Sequence, residues 1–376
     1  MKILYLTTVG QTMGFFTDLV EMLVREGNSV DIATNDAEGK SSIPKTYYKL
    51  GCKIHKMEWT RNPLSLQNLK AINKLKKLLE SEKYDLIHCH TPIAAMCTRI
   101  AARKYRKKGL KVVYTAHGFH FYQGAPMKNW LVYYPIEWLC SFLTDELITI
   151  NEEDYNLAEK TMHARHVDYV KGVGINISKI REYNKDKEIM RKELEIPQDS
   201  FLMASVGELN NNKNHSVILD AMSIVNDDNI HYMIAGEGEN KSLLEKKSIE
   251  LGIKDRVHLL GYRNDINDLY HCADVCVFPS IREGLPIAPL EAMAVGLPLI
   301  CSDNRGLRNI IKSSHNGMVC KYYDSNEFAK AIKYLADDKT NRKKMGEINA
   351  EMVKEFDVSL INKTMKDIYE KTINNK

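Results

Sequence analysis

Two glutamates flank a short segment rich in proline. The sequence EGLPIAPLE begins at Glu283 and ends at Glu291. Its glycine, Gly284, lets another group approach the backbone closely, and Pro286 presets φ for the start of a helix. The free amides at a helix N-terminus carry a partial positive charge and suit a phosphate. A phosphate site with a carboxylate at each end predicts recognition of a sugar nucleotide, whose hydroxyls would bind the glutamates.

Two separated acids could also do no more than cap and solvate a helix. The surroundings favour a ligand site, because the segment follows a predicted strand over 275–280 and opens a predicted helix over 286–295. In an open parallel sheet, ligands bind at the carboxyl ends of the strands. That position gives both carboxylates a role that capping alone does not explain.

A lysine and two histidines lie near the ends of other predicted strands. Lys213 is in the loop that follows the predicted strand over 201–207. His117 ends the predicted strand over 111–117, and His90 ends the strand before it. A histidine at a strand end is often structural, so these two are candidates only. No Asp-x-Asp sequence accompanies them, and no metal site is predicted.

The elements that must position these residues follow a regular rhythm. Short β-branched runs alternate with stretches of helical apolar spacing, which predicts βαβ units and parallel sheets. The first set has strands over 2–8, 29–35, 85–90, 111–117 and 146–150, with helices over 15–27, 66–82, 93–107 and 127–143. The second has strands over 201–207, 231–236, 256–261, 275–280 and 298–303, with helices over 214–225, 240–251, 286–295 and 326–337.

This rhythm predicts an α/β protein with two Rossmann-like, doubly wound parallel-sheet domains that face a central cleft. An irregular stretch separates the two sets of elements and predicts a hinge. The predicted parts are a first domain, a hinge, a second domain and a C-terminal helix that packs back towards the first domain, at 1–171, 172–185, 186–355 and 356–376.

Composition excludes several classes of protein. The chain has 376 residues, of which 44% are hydrophobic and 27% charged, so collagen-like, disordered and disulfide-scaffold proteins are excluded. The net charge of +4 argues against a nucleic-acid partner. No apolar run approaches the length of a membrane span, and the start predicts a strand rather than a signal peptide. The eight cysteines never form C-x-x-C, which predicts reduced core thiols and a cytosolic protein.

Seven sequence segments together resemble glycosyltransferase family 4, whose members are retaining enzymes of the GT-B fold. The Glu-x7-Glu element resembles that of the family, and the order of the other segments agrees with it over most of the chain. These segments are PSIREGLPIAPLEAMAVGLPLICSD, SVGELNNNKNH, MIAGEGEN, LLGYRNDINDLYHCADV and GVGIN, with DLIHCHTP and TAHGF at the first-domain strand ends. Among family members, the chain looks most like enzymes of bacterial capsule, exopolysaccharide and lipid-linked oligosaccharide assembly.

The resemblance implies roles for individual residues. Lys213 would pair with the donor diphosphate, Glu283 would bind the transferred sugar, and His117 would donate to the sugar or leaving group. Where the family commonly has an arginine, this chain has Glu208, whose role stays open. Glu291 would bind the ribose, and Gly14 could equally be an ordinary turn glycine. The donor-binding set implied by similarity is Gly14, Gly207, Glu208, Lys213, Gly236, the backbone of Tyr262 and Arg263, Gly284, Leu285, Pro286, Ile287 and Glu291. His90 and His120 are weaker acceptor candidates.

The resemblance also implies a mechanism without a metal or other cofactor. The donor would be a nucleotide sugar, with UDP indicated by the polysaccharide-assembly members, and the leaving diphosphate oxygen would deprotonate the incoming hydroxyl on the same face. An inverting enzyme would instead need a base near Asp36, His90 or His117. The sequence alone leaves that chemistry open, although the Glu-x7-Glu context disfavours it.

Three other functions deserve comparison. A dinucleotide oxidoreductase is disfavoured because no Gly-x-Gly-x-x-Gly follows the first strand. A sugar-nucleotide 2-epimerase of the same fold would release epimerised donor without an acceptor. A sugar-binding module without catalysis would release no nucleotide when acceptor is added, and such modules are usually secreted.

Positive charge is concentrated in the first domain. Residues 1–171 contain 24 basic and 18 acidic residues. The segment 66–83 predicts a helix with an apolar face and a basic face, formed by Leu69, Ile72, Leu75 and Leu79 and by Lys70, Lys74 and Lys77. The segment 98–111 contributes seven cations, and the segment 131–140 contributes aromatic residues. The first helix could simply pack on the sheet with a solvated lysine face. Together with lipid-linked acceptors in similar enzymes, the three segments predict a peripheral protein on the cytoplasmic face of an anionic membrane.

Overall fold

Runs of buried aliphatic residues form the strands of two parallel β-sheets. The computed structural model describes residues 1–35, 43–60, 62–63, 65–308 and 310–375. The chain divides into a first unit, Met1–Gly174 with Val358–Lys376, and a second unit, Ile175–Asp357. The chain leaves the first unit at Gly174, inside the segment predicted as a hinge.

The first unit contains a doubly wound sheet in the order β3-β2-β1-β4-β5-β6-β7. Every neighbouring pair is parallel, so all carboxyl ends lie along one edge. Within the described ranges, its strands are β1 (Lys2–Val9), β2 (Ser29–Asn35), β3 (Ile54–Lys56), β4 (Leu86–His90), β5 (Lys111–Ala116), β6 (Glu146–Thr149) and β7 (His166–Tyr169).

Helices cover this sheet and join its strands. A 3₁₀ helix (Gly10–Phe16) follows β1 and leads into α1, where sequence spacing predicted one helix over 15–27. The helices are α1 (Thr17–Arg25), α2 (Thr46–Lys49), α3 (Leu66–Ser81), α4 (Pro92–Arg106), α5 (Met127–Ser141) and α6 (Glu152–Thr161), with the C-terminal helix (Val358–Asn374).

The second unit contains a parallel sheet in the order β10-β9-β8-β11-β12-β13. Its strands in the described part of the chain are β8 (Phe201–Val206), β9 (Ile230–Ala235), β10 (Val257–Gly261), β11 (Val275–Phe278), β12 (Leu299–Ser302) and β13 (Gly317–Cys320). Its helices are α7 (Ile177–Arg181), α8 (Lys187–Glu193), α9 (Ser216–Val225), α10 (Lys241–Glu250), α11 (Ile266–Cys272), α12 (Ile287–Ala294), α13 (Ser325–Asp337) and α14 (Lys339–Met352), with 3₁₀ helices at Lys254–Arg256 and Val353–Phe356.

The C-terminal helix packs into the core of the first unit. Ile361, Met365 and Ile368 are buried in the same apolar cluster as Tyr5 of β1. The hydroxyl of Tyr369 shares hydrogen bonds with the hydroxyl of Tyr5 and with His88 Nδ1. All eight cysteines lie in described residues and are free and buried, which confirms the prediction of reduced core thiols.

The predicted apolar face of α3 is wrong at one residue. Ile72, Leu75 and Leu79 are buried, but Leu69 is 56% exposed. Asn68 takes the expected place of Leu69 because it lies four residues before Ile72 on the buried stripe. Its amide is satisfied there, since Nδ2 donates to the carbonyl oxygen of Asn62 at 2.8 Å.

Two of the seven cations predicted for an external partner are used inside the fold. Arg99 is buried and its Nη2 lies 2.7 Å from Glu137 Oε2 on α5. Arg106 binds both carboxylate oxygens of Asp145, at 2.9 and 2.8 Å. These two arginines tie α4 to α5 and to the start of β6, so they are not available to a surface partner.

Glu146 should make the stability of the first unit depend on pH. Its side chain is buried at the start of β6, and Thr372 Oγ1 of the C-terminal helix donates to its Oε2 at 3.4 Å. Burial, assisted by the nearby Asp168, raises the pKa of Glu146 to about 8. An unfolded glutamate titrates near about pH 4.3, so the folded state binds the extra proton between these values and stability falls as pH rises.

We therefore expect Glu146→Gln to reduce this loss. Urea unfolding at about pH 5.5 and about pH 8.5 should show a smaller decrease in unfolding free energy for the variant than for the wild type, with the variant more stable at the higher pH. Glu80→Gln removes the same charge from the exposed surface of α3 and should leave the wild-type pH dependence unchanged. An equal decrease in wild type and Glu146→Gln would contradict the assignment.

Candidate active site

The second unit brings Lys213 and Glu283 together at the carboxyl edge of its sheet. Lys213 lies in the loop after β8, and Glu283 lies in the loop between β11 and α12. Lys213 Nζ is 2.8 Å from Glu283 Oε1 and 4.6 Å from the centre of the Phe278 ring. Both side chains are about four-fifths buried, at 20% and 17% exposed. A cation and a carboxylate thus meet where a parallel sheet binds ligands.

Asn212 joins the two loops and was not predicted from the sequence. Its backbone carbonyl accepts a 2.8 Å hydrogen bond from the amide of Ile281. Its side-chain Nδ2 donates to the carbonyl oxygen of Arg282 at 3.0 Å. On the other side, Arg305 Nε donates to the carbonyl oxygen of Glu283 at 3.3 Å. The backbone at Glu283 is therefore held from two neighbouring loops.

Glu291 is inside α12, where Tyr270 contacts it. The hydroxyl of the fully buried Tyr270 lies 3.3 Å from Glu291 Oε2 and 3.1 Å from the carbonyl oxygen of Ala288. Burial raises the pKa of Glu291 above its ordinary value. Tyr270 comes from α11 and was also missed by sequence reasoning, because nothing in its local sequence marks it as a partner of α12.

Close backbone packing explains one of the predicted glycines, and a second lies against Lys213. A Cβ on Gly236, after β9, would lie 1.8 Å from the carbonyl oxygen of Gly207, after β8. Such a distance is far below van der Waals contact, so position 236 requires glycine. A Cβ on Gly207 would in turn lie 3.3 Å from Lys213 Cε. The loops after β8 and β9 can therefore pass side by side next to the lysine.

The remaining predicted donor residues of the second unit lie in its surface loops and at α12. Glu208 is exposed and accepts a 2.9 Å hydrogen bond from Asn210 Nδ2, whereas Lys213 pairs with Glu283. Tyr262 is 78% exposed after β10, and the Arg263 side chain pairs with Asp265. Four residues form the link into α12, namely Gly284, Leu285, Pro286 and Ile287.

The first unit has its own group of candidates at the carboxyl edge of its sheet. His90 ends β4 and His117 follows β5, and His90 Nδ1 lies 3.0 Å from His117 Nε2. Burial lowers the pKa of His117 to about 4 and that of His90 well below its ordinary value. His88 forms a 2.8 Å hydrogen bond with Thr115 Oγ1. The three imidazoles line one small pocket of about 20 Å³ with mainly apolar walls.

The loop after His117 is fixed by the fold. Gly118 has a φ of 126°, in the region that favours glycine, so the chain turns directly after the histidine. The amide of Phe119 donates to Asp154 Oδ2 at 3.0 Å. His120, predicted as an acceptor contact, stacks on Tyr133 of α5 with ring centres 4.5 Å apart.

Three further predictions concern Gly14, a possible base at Asp36, and metal ligands. Gly14 lies in the 3₁₀ helix after β1, where an added Cβ would approach no atom closer than 3.9 Å among those described. Asp36 lies outside the described residues.

Within the described ranges, no three His, Cys, Asp or Glu side chains gather as a metal site requires. In the same ranges, no helix has the length and apolar composition to cross a bilayer.

Sequence comparison places both units in known families. Residues 2–151 match the family described as glycosyl transferase 4-like, and residues 186–352 match glycosyl transferases group 1. EpsD of Bacillus subtilis (strain 168) is 36% identical over 373 residues, which covers 98% of this chain and 96% of EpsD. The chain belongs to glycosyltransferase family 4. The resemblance noted from the motifs is therefore confirmed.

Further comparisons agree with this glycosyltransferase assignment. An Escherichia coli relative named UDP-Gal:alpha-D-GlcNAc-diphosphoundecaprenol alpha-1,3-galactosyltransferase is 30% identical over 326 residues, covering 84% of this chain and 83% of that protein. The crystal structure of Anabaena HepE in complex with UDP and glucose matches with a TM-score of 0.82 at 18% identity, covering 98% of this chain and 99% of that one. The glycosyltransferase thus has the predicted GT-B fold of two parallel-sheet α/β domains.

Alanine at Gly236 should damage this glycosyltransferase, whereas alanine at Gly14 should not. In Gly236→Ala, the new Cβ must displace the Gly207 carbonyl, and we expect a loss of about 1–3 kcal/mol in unfolding free energy. In Gly14→Ala, the new Cβ makes only an ordinary van der Waals contact, with Pro44 at 3.9 Å, and stability should stay within about 0.5 kcal/mol of the wild type. Urea unfolding followed by circular dichroism measures both. Equal midpoints for Gly236→Ala and wild type would show that these loops do not pack as described.

Proposed function

We propose that the protein is a retaining glycosyltransferase that transfers a hexose or N-acetylhexosamine from a UDP-sugar to a polyprenyl-diphosphate-linked glycan in surface polysaccharide assembly. The observation that carries the proposal is the Lys213–Glu283 pair beside the N-terminus of α12. The printed name of the Escherichia coli relative supports it, because that enzyme takes UDP-Gal and a diphosphoundecaprenol-linked sugar.

The paired side chains have complementary functions towards such a donor. Lys213 would neutralise the diphosphate, which releases Glu283 to accept hydrogen bonds from hydroxyls of the transferred sugar. The amides of Gly284, Leu285 and Ile287 add uncharged donors for a phosphate, while Pro286 has none to give. The N-terminus of α12 carries a partial positive charge, which would add to the attraction of Lys213 for the diphosphate.

Two other parts of the second unit would bind the nucleoside. Glu291 would accept from the ribose hydroxyls, and Tyr270 holds one of its oxygens in place. The base would pair with the backbone at Tyr262 and Arg263. Because the Arg263 guanidinium already binds Asp265, its side chain is occupied and the backbone groups are the recognition elements.

The proposed reaction breaks the bond between the anomeric carbon and the β-phosphate oxygen, which leaves with the electron pair. The acceptor hydroxyl oxygen forms the new bond on the same face, and its proton passes to the departing phosphate oxygen. The products are the lengthened glycan and UDP. Lys213 would stabilise the charge that develops on the leaving group. The resemblance gives a neutral His117 the role of a hydrogen-bond donor to the sugar or leaving group. No step uses a metal ion, so EDTA should leave turnover unchanged.

Two competing functions remain distinguishable by experiment. A 2-epimerase would convert the sugar nucleotide without acceptor, and a binding module would release no nucleotide when acceptor is added. An inverting mechanism would give the opposite anomeric configuration in the product. Among the described residues, the candidates for the base of an inverting mechanism are His90 and His117. Both are neutral imidazoles because burial lowers their pKa.

Lys213→Ala and Glu283→Ala should each reduce kcat/KM for the donor by about 100-fold or more, because each removes a group that binds the reacting part of the donor. The test measures release of the nucleoside diphosphate, UDP or GDP, with acceptor present, in EDTA, using UDP-hexose, UDP-N-acetylhexosamine and GDP-mannose. Only the UDP-sugars should raise the melting temperature of the wild type and turn over. Lys241→Ala is the matched control, because Lys241 also pairs with a glutamate in the second unit but on α10.

Three outcomes would contradict these assignments. Near-normal kinetics in both site variants would remove Lys213 and Glu283 from the donor site. Stabilisation and turnover with GDP-mannose alone would refute the UDP donor. Activity abolished by EDTA and restored by Mg²⁺ would show that the diphosphate binds through a metal ion.

We also propose that the first unit docks on an anionic bilayer through the α4–α5 surface, defined as the basic end of α4 and the exposed apolar side of α5. Met127, Leu131 and Leu139 of α5, with Phe142 directly after it, recur at helical spacing and are exposed, with Leu131 at 72%. Arg106 Nη1 donates to the carbonyl oxygen of Phe142 at 3.0 Å, so the basic and apolar parts are contiguous.

The charge pattern of the α4–α5 surface fits an anionic lipid partner. Arg103, Lys104, Lys107 and Lys108 are exposed, whereas Arg99 and Arg106 are used internally. Each exposed cation near an anionic bilayer contributes about 1 kcal/mol, and the apolar side chains would enter the interface. The lysines of α3 extend the positive surface, since Tyr105 of α4 donates to the carbonyl oxygen of Lys76.

Charge reversal should separate docking from catalysis. The Lys104→Glu/Lys107→Glu variant should lose most sedimentation with anionic liposomes at low salt, while turnover on a short water-soluble acceptor persists. Wild-type binding should disappear near about 0.5 M salt, where screening is strong. Lys246→Glu/Lys343→Glu reverses the same number of exposed charges in the second unit and should bind like the wild type. Equal binding to neutral and anionic liposomes would rule out this surface.

A further inference from the structure

His90 and His117 form an imidazole pair in which one ring is far more constrained than the other. The His90 side chain is 1% exposed, and its ring stacks on Phe16 with centres 4.1 Å apart. Its other neighbours are the rings of Tyr5, at 5.7 Å, and His88, at 4.0 Å. These rings pack around His90, and its Nδ1 points towards His117 Nε2.

The backbone after His90 is held in a strained conformation. Thr91 has a φ of 64°, which a β-branched residue rarely adopts. Its Oγ1 lies 2.6 Å from Thr8 Oγ1 and accepts from the Thr8 amide at 3.1 Å. Strain that persists in this way marks positions whose geometry matters for function. Here the hydrogen bonds to Thr8 hold the strained end of β4, from which His90 projects.

The hydrogen bond between the rings contains a single proton. Burial lowers the pKa of both imidazoles, so both are neutral near neutral pH. A neutral imidazole has one N–H group, and its position is set by the partner of the other nitrogen. Either His90 Nδ1 donates to His117 Nε2, or the reverse holds.

The structure favours donation by His90. If His117 donated, His90 would carry its N–H on Nε2, a buried atom with no hydrogen-bond partner among the described residues. A buried donor without a partner is less common than a buried acceptor without one. If His90 donates from Nδ1, its Nε2 is only an acceptor without a partner, and the His117 proton lies on Nδ1.

We propose that His90 is a positioning residue that fixes His117 in its Nδ1–H tautomer and so makes His117 a hydrogen-bond donor to the reacting groups. The functional half of this inference depends on the proposed glycosyl transfer, in which His117 faces a developing anion. A bare Nδ1 would repel that anion, whereas an uncharged N–H stabilises it. The pocket that both rings line has mainly apolar walls, which strengthens such a bond by limiting water.

The tautomer can be read directly in the full-length protein. Long-range ¹H–¹⁵N correlation spectra of protein labelled with ¹⁵N-histidine should show His117 protonated on Nδ1, with the resonance identified by its loss in His117→Gln. His90→Phe keeps an aromatic ring against Phe16 but removes the donor, and should shift His117 to the Nε2–H form. His90→Asn keeps an N–H near the place of Nδ1 and should preserve the wild-type tautomer.

Kinetics supply an independent measurement. His90→Phe should lower kcat by about tenfold or more with little change in donor KM, whereas His90→Asn should recover most of it. Adding His90→Phe to His117→Ala should cause no further loss, because both changes remove the same interaction. A His117 protonated on Nε2 in the wild type, or an unchanged tautomer in His90→Phe, would overturn the inference. Full activity of His117→Ala would refute the role of His117 in the proposed function while leaving the tautomer measurement standing.

Discussion

The carboxyl ends of parallel strands all lie along one edge of a sheet, and the candidate groups of both units depend on that constraint. Lys213 and Glu283 are 70 residues apart in sequence, yet they form an ion pair because β8 and β11 are neighbours. His90 and His117 meet for the same reason across β4 and β5. The topology therefore turns distant loops into one local cluster in each unit.

The ion pair also keeps the second unit ready for a ligand. Each side chain is largely buried, and a buried charge without a partner is strongly destabilising. Pairing satisfies both charges while the donor is absent. Under the proposed function, the diphosphate and the sugar hydroxyls replace these partners, so neither charge is left alone at any stage. Such preorganised groups need little rearrangement when charge develops in the reaction.

The sequence predicts the strands and helices that frame the site, because long alternating apolar patterns report burial directly. The strands β3, β7 and β13 were not predicted, since each is a short edge strand of three or four residues. Glu283 was found because glycine and proline near a strand end have local signatures, and Lys213 was found because its loop resembles that of the family. Asn212, Tyr270 and Arg305 were missed because their partners come from loops and a helix that are distant in sequence.

Charge and helical periodicity were less reliable guides to surfaces. Counting cations over 98–111 did not distinguish the exposed Lys104 from Arg99, whose partner Glu137 is on another helix. The face of α3 was shifted in the same way at Leu69, because a buried asparagine satisfied by the backbone looks polar in sequence. Such assignments require the tertiary partner, which periodicity does not contain.

The return of the C-terminal helix to the first unit has a consequence for synthesis on the ribosome. The second unit, Ile175–Asp357, is translated before the helix Val358–Asn374 that completes the core around Tyr5. The second unit can therefore finish folding while the first still exposes the apolar groove meant for Ile361, Met365 and Tyr369. At a synthesis rate of about 5–20 residues per second, that groove stays open for roughly ten seconds or more after Gly174 has been added. During this interval, the open groove of the first unit would be an apolar surface to which chaperones can bind.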